Sequence, residues 1–190
     1  AAATLFLWLS RSQVAPAYRT ALTVSGLVTA IAAYHYFRIF ESWSAAFSVR
    51  DGVVTATGLL FNDAYRYVDW LLTVPLLLIE LVLVMRLSSS ETASKATRLG
   101  FAAALMIILG YPGEIATDNT TRAIWGAISS IPFAYIVYEL FVGLGAAIQR
   151  QPEGARVLVN RARWLTFASW GFYPIVYMMP FTSFSGSSVE

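Results

Sequence analysis

The chain has 190 residues, 57% of them hydrophobic and 13% charged, with a formal net charge of +2. A soluble domain carries about 25% charged residues, so this composition points to a polytopic membrane protein and away from nucleic-acid binding. With no cysteine and a single histidine, His35, the sequence excludes disulfides, thiolate metal centres and multi-histidine metal sites. It also lacks a Gly-rich phosphate loop and a GxSxG nucleophile motif.

Residues 1–10, AAATLFLWLS, start inside an apolar run with no basic region ahead of it. They read as part of a first helix rather than as a signal peptide. A basic turn with Pro16 follows, then an expected helix over about 17–41 that holds His35 and ends near Arg38 and Glu41. Residues 48–62 place Asp51-Gly52 between β-branched residues, which predicts a short hairpin. The next helix is expected over 63–86, with Pro75 near its middle. Membrane helices accept such a proline when neighbours satisfy the freed carbonyl. Residues 86–98 read as a polar loop that ends in a helix cap. Further helices are expected over about 95–112, 121–148 and 157–181, joined by the connector 113–122 and the basic loop 149–163. Pro174 and Pro180 should interrupt the last one, and 181–190 reads as a polar tail. One half-helix and five full helices thus form a single transmembrane helical domain, 1–190.

Loop charge gives an orientation. Arg11, Arg19, Arg86, Lys95, Arg98, Arg150, Arg156, Arg161 and Arg163 fall on one side, with only Glu91 and Glu153 among them. That side is expected in the cytoplasm, with the N-terminus outside. Asp69 then lies in the outer half of the 63–86 helix and Glu80 in its inner half.

That helix carries the most informative residues. Arg66, Asp69, Thr73 and Glu80 step by three, four and seven, which keeps them on one side of a helix. The two carboxylates are about 16 Å apart along the axis at roughly 1.5 Å per residue. A charge at a membrane-helix centre costs about 2.5–3.5 kcal/mol on insertion scales, so such groups are functional candidates. Arg66, one turn outward, is expected to keep Asp69 ionised, whereas Glu80 among leucines should stay protonated at rest. Two carboxyls held apart in this way suit an acceptor and a donor of protons. The alternative is an ion pair that packs helices plus a glutamate near the interface. His35 sits at a depth that suits a hydrogen bond to Asp69, or else is a packed core residue. Glu114 and Glu139 read as interface residues near helix ends. Trp8, Trp43, Trp125 and Trp164 suit an aromatic belt. Trp170, Tyr173 and Pro174 form one aromatic face, either core or pocket wall. Gly110, Gly126 and Gly171 suit close helix approach.

The stretch RYVDWLLTVPLLLIE (66–80) resembles the third helix of microbial rhodopsins, specifically the xanthorhodopsin and proteorhodopsin proton pumps. YHYFRI (34–39), FNDAYRYVDW (61–70), LGYPGE (109–114) and SWGFYPIVYM (169–178) resemble the xanthorhodopsin branch. The likeness covers essentially the whole chain. It implies an all-α integral membrane protein, the seven-helix rhodopsin bundle, of which about five and a half helices are present. It also implies a light-driven outward proton pump rather than an enzyme. By position, Asp69 matches the Schiff-base counterion and proton acceptor, and Arg66 the arginine that modulates it on the exit side. Thr73 matches the middle of the Asp-Thr-Glu triplet, Glu80 the cytoplasmic proton donor, and His35 the histidine that bonds the counterion.

The resemblance implies all-trans retinal as cofactor. Its pocket would draw Tyr67, Trp70, Thr73 and Leu77 from the third helix. It would draw Met106, Gly110, Ser129 and Phe133 from the next two, and Trp170, Tyr173, Pro174 and Tyr177 from the last. Leu77 stands where leucine goes with green absorption and glutamine with blue. Gly126 stands where many relatives carry tryptophan, and in xanthorhodopsin-like proteins a glycine there admits a carotenoid antenna. The family's retinal-bearing lysine lies in a seventh helix. The only lysine here is Lys95, in the polar loop expected on the cytoplasmic side, so the chain reads as a fragment lacking the start of helix one and all of helix seven. The implied setting is the cell membrane, multi-pass, with lipid and other copies of the chain as partners and no metal or nucleic acid. A photosensor on the same fold and a retinal-free membrane transporter or scaffold are the rival readings.

Overall fold

A computed structural model describes residues 1–179. Pro180 and the tail 181–190, with the last turn expected for the 157–181 helix, lie outside the described residues. The chain divides into two compact units, Ala1–Arg86 and Leu87 onward.

In the first unit, α1 (Ala2–Leu9) packs on α2 (Arg19–Ala46), and α2 packs on α3 (Ala64–Val84). Close approach of α1 depends on Gly26, where a Cβ would meet the Trp8 ring at 2.1 Å. Thr4 and Thr29 hydroxyls join the two helices at 3.0 Å. The helix expected over 17–41 runs five residues further, to Ala46. There the chain turns into β1 (Phe47–Arg50) and β2 (Val53–Ala56), paired antiparallel from Phe47↔Ala56 to Arg50↔Val53. Asp51 and Gly52 both adopt positive φ, as the tight turn of a two-residue hairpin requires. The hairpin spans 47–56, and residues 57–63 form an irregular lead into α3. Along α3 the buried residues Asp69, Thr73, Val74, Leu78 and Val82 form one stripe at helical spacing. Helix α3 passes through Pro75 unbroken.

In the second unit, α4 (Ser89–Glu114) packs on α5 (Asn119–Tyr138), and α7 (Glu153–Met178) meets α5. Helix α4 starts six residues before the expected 95. Ser88 and Glu91 form a capping box: Ser88 Oγ accepts from Glu91 N at 3.3 Å, and Ser88 N donates to Glu91 Oε2 at 3.4 Å. Lys95 and Arg98, at the overlap of the expected polar loop 86–98 and the expected 95–112 helix, are helical residues. Likewise α7 starts at Glu153, directly after Pro152, so most of the expected basic loop 149–163 is helix. Pro174 lies within α7 and does not interrupt it. Beyond α5 the backbone widens into a π-helical turn, Glu139–Gly143, before α6 (Gly145–Gln149). Among the described residues, three helical stretches are long and apolar enough to cross a membrane: Ala64–Val84, Ser89–Glu114 and Asn119–Gln149.

Candidate functional site

Of the charged residues of α3, Asp69 lies in its buried stripe, while Arg66 and Glu80 are half-buried. Asp69 is 3% exposed and His35, from α2, is 8% exposed. His35 Nδ1 lies 3.5 Å from Asp69 Oδ1 and 3.1 Å from the Ile31 carbonyl oxygen. The ring's hydrogen bond therefore goes to Ile31, and its relation to Asp69 is electrostatic. Asp69 Oδ1 is buried and has no hydrogen-bond partner among the described residues. A buried carboxylate oxygen in that state costs free energy unless a cation or donor meets it. Thr73 Oγ1 donates to the Asp69 backbone carbonyl at 2.8 Å, a contact within one turn of helix.

Arg66 Nη2 donates to Asp63 Oδ1 at 2.8 Å, one turn outward. Its Cζ lies 5.7 Å from the Trp70 ring centroid. Tyr67 and Trp70 rings are 5.3 Å apart and tilted, while Leu77 is exposed.

Glu80 is not enclosed by leucines alone. Ser25 Oγ, on α2, lies 2.5 Å from Glu80 Oε1 and 3.2 Å from the Ala21 carbonyl oxygen. Sequence reasoning missed Ser25, because nothing in its local context marks a serine fifty-five positions away as a partner.

The second unit holds an ion pair between a half-buried lysine and a buried glutamate, residues that the sequence reading assigned to a loop and an interface. Glu139 is 6% exposed. Its Oε2 accepts from Lys95 Nζ at 2.7 Å, and its Oε1 accepts from Tyr135 OH at 3.3 Å. Lys95 Nζ also donates to the Gly143 carbonyl at 3.2 Å. A Cβ on Gly143 would sit 2.0 Å from Glu139 Oε2, so only glycine lets the carboxylate lie over the π-helical turn. Of the remaining residues singled out in the sequence, Ser129 Oγ donates to the Met106 carbonyl at 3.2 Å and ties α5 to α4. Tyr177 OH donates to the Arg122 carbonyl at 2.7 Å, and its ring packs on Gly126, whose Cβ would meet Tyr177 Cε1 at 2.6 Å. Gly171 has open space where a Cβ would stand. Gly110 and Phe133 are half-buried on α4 and α5; on α7, Trp170 is half-buried while Tyr173 and Pro174 are exposed.

These features test the fit of a retinal. The orphaned Asp69 oxygen suits the cationic end of such a chromophore. Lys95 does not suit the covalent anchor, since its ammonium is engaged by Glu139 and Gly143.

Helices long enough to span a bilayer, with a buried imidazole–carboxylate pair inside, define an integral membrane protein built around intramembrane titratable groups. The profile of the bacteriorhodopsin-like protein family matches residues 1–190, and the chain belongs to that family. It is 30% identical to a green-light absorbing proteorhodopsin from a gamma-proteobacterium, over 98% of this chain and 70% of that protein. The crystal structure of xanthorhodopsin, described as a light-driven ion pump with dual chromophore, is similar at 55% identity and a TM-score of 0.90, covering 96% of this chain and 73% of that one. A thermophilic rhodopsin is similar at 49% identity and a TM-score of 0.90, covering 96% and 74%.

Proposed function

We propose that this protein is a light-driven outward proton pump using all-trans retinal, with Asp69 as proton acceptor and Glu80 as proton donor. The observation that carries the reading is the buried Asp69 Oδ1, which lacks a hydrogen-bond partner among the described residues and has an imidazole 3.5 Å away. Bound through a lysine amine, retinal would supply the light-driven isomerisation, and the amine nitrogen would carry the proton. On α3 the retinal would lie along Tyr67, Trp70 and Thr73, with Asp69 at its charged end.

Asp69 is placed to take a proton because no described residue hydrogen-bonds that oxygen. His35 Nδ1 stands 3.5 Å from that carboxylate oxygen. Glu80 is placed to hold one. The Ser25 hydroxyl has a single hydrogen, yet its oxygen contacts both Glu80 and the Ala21 carbonyl. Both contacts are hydrogen bonds at once when the Glu80 carboxyl carries the proton and donates it to Ser25, which in turn donates to Ala21. The acid is thereby loaded before it is used. We place the basic ends of α4 and α7 in the cytoplasm of a cell membrane, so that protons leave by the Arg66 end, and we expect the pump to assemble with other copies of itself. We also place a carotenoid contact at Gly126, beside the Tyr177 ring.

The test is to express the complete gene product, add all-trans retinal and illuminate a cell suspension. A visible band in the green with acidification of the medium is expected. Absence of any band overturns the retinal reading. A band without acidification overturns pumping and leaves the photosensor.

A further inference from the structure

Asp63 stands at the N-cap position of α3. An aspartate there ordinarily accepts a hydrogen bond from a backbone N–H of the first turn, yet its carboxylate makes no capping bond. Instead it accepts from Arg66 Nη2, and Asn62 Oδ1 takes the Ala64 N–H at 3.1 Å. Arg66 therefore stands between two carboxylates of its own helix, Asp63 three residues outward and Asp69 three residues inward. Residues three apart are neighbours on a helix surface. The guanidinium lies with the outer carboxylate, and the buried oxygen of the inner one is left without a hydrogen bond.

We propose that Asp63 is a positioning residue for Arg66: it holds the guanidinium at the outer end of α3 and thereby sets how firmly Asp69 holds a proton. The inference rests on the reading of Asp69 as proton acceptor. A cation near a carboxylate favours its ionised form, so a rival carboxylate that draws the cation outward leaves Asp69 a better base. Among the described residues, α2 brings further charged groups to this region. His35 lies beside Asp69. Arg38 is held by Glu41 at 2.7 Å and by Tyr65 OH at 2.9 Å, so Glu41 is already occupied and does not replace Asp63. The Asp63 and Arg66 side chains are 40% and 36% exposed, and partly exposed pairs couple modestly. The expected effect is a two- to fivefold change in the Asp69 protonation equilibrium, or roughly 0.3–0.7 of a pH unit.

The experiment is a double-mutant cycle in the complete gene product with all-trans retinal, reading the pH midpoint of the visible-band colour change. Asp63→Asn removes a negative charge and releases Arg66, and both effects move the midpoint to lower pH. In the Arg66→Gln background only the first effect remains, so the shift should fall by half or more. Asp63→Glu should restore the original midpoint. Equal shifts in both backgrounds would mean that Asp63 acts through its field alone, and no shift would mean no coupling; either outcome overturns the proposal. A second readout needs no retinal. The Arg66 guanidinium nitrogen resonances, assigned with Arg66→Gln, should move in Asp63→Asn and return in Asp63→Glu. Unmoved resonances overturn the positioning role. A missing band in every variant is instead the failure of the retinal reading, and the resonances still decide the pair.

Discussion

His35 and Asp69 come together from two helices at 3.5 Å, yet the imidazole's own hydrogen bond goes to the Ile31 carbonyl. That bond fixes the ring while leaving the carboxylate oxygen open. Asp69→Asn is therefore expected to abolish light-driven acidification and red-shift the visible band, because the compensating negative charge is gone. Pumping that survives the substitution would refute Asp69 as acceptor.

Glu80 and Ser25 meet toward the other end of α3. Glu80→Gln should slow only the late recovery of the photocycle, measured by flash photolysis. Ser25→Ala removes one hydrogen bond worth about 1 kcal/mol, so late recovery should change by about fivefold in the same assay. An unchanged recovery in Glu80→Gln would refute its donor role.

The Lys95–Glu139 pair is mostly withdrawn from solvent. Removing one partner of a buried pair leaves an uncompensated charge, at a cost of about 3–5 kcal/mol. Lys95→Met should therefore lower thermal stability sharply, and Lys95→Met with Glu139→Leu should recover most of the loss. Equal melting of the single variant and the parent would show that the pair contributes nothing.

Gly126 leaves room for the Tyr177 ring. Gly126→Trp forces that ring aside, and overpacking of this kind costs about 1–3 kcal/mol. Thermal denaturation should show the loss, and Tyr177→Ala should relieve it. The same Gly126→Trp variant should lose energy transfer from a bound carotenoid to retinal, read in the excitation spectrum. Transfer that persists would place the carotenoid elsewhere.

Asp118 caps α5, its Oδ1 accepting from Thr121 N at 2.8 Å. Hydrogen bonds from Thr121 hold its carboxyl below the usual carboxylate range. A depressed folded-state value means that the cap's contribution is complete above the unfolded value and fades as pH falls through the folded one. Amide exchange in the first turn of α5 should therefore show less protection as the medium is acidified into that range. Asp118→Ala should show that reduced protection at every pH.

The sequence by itself determined what is local. Helical spacing put Arg66, Asp69, Thr73 and Glu80 along one side of α3, and Asp51-Gly52 announced its hairpin, because both follow from backbone periodicity and turn geometry over a few residues. The family was legible from residues 66–80 for the same reason. The S-x-x-E spacing at Ser88 marks the start of α4 as well, but the polar run after it offers no apolar face, so periodicity alone begins the helix six residues later. Tertiary structure decided the partners. Glu139 looked like an interface residue and Lys95 like a loop residue until α4 and α5 packed and brought them to 2.7 Å. Ser25 meets Glu80, and His35 turns its proton to Ile31, only once α2 has taken its rotation against α3. Arg66 meets Asp63, a pairing that the spacing allows but does not require. A helix fixes which residues share a face, but which side chain on another helix stands opposite depends on how the two helices approach, and that is set by packing along their whole length.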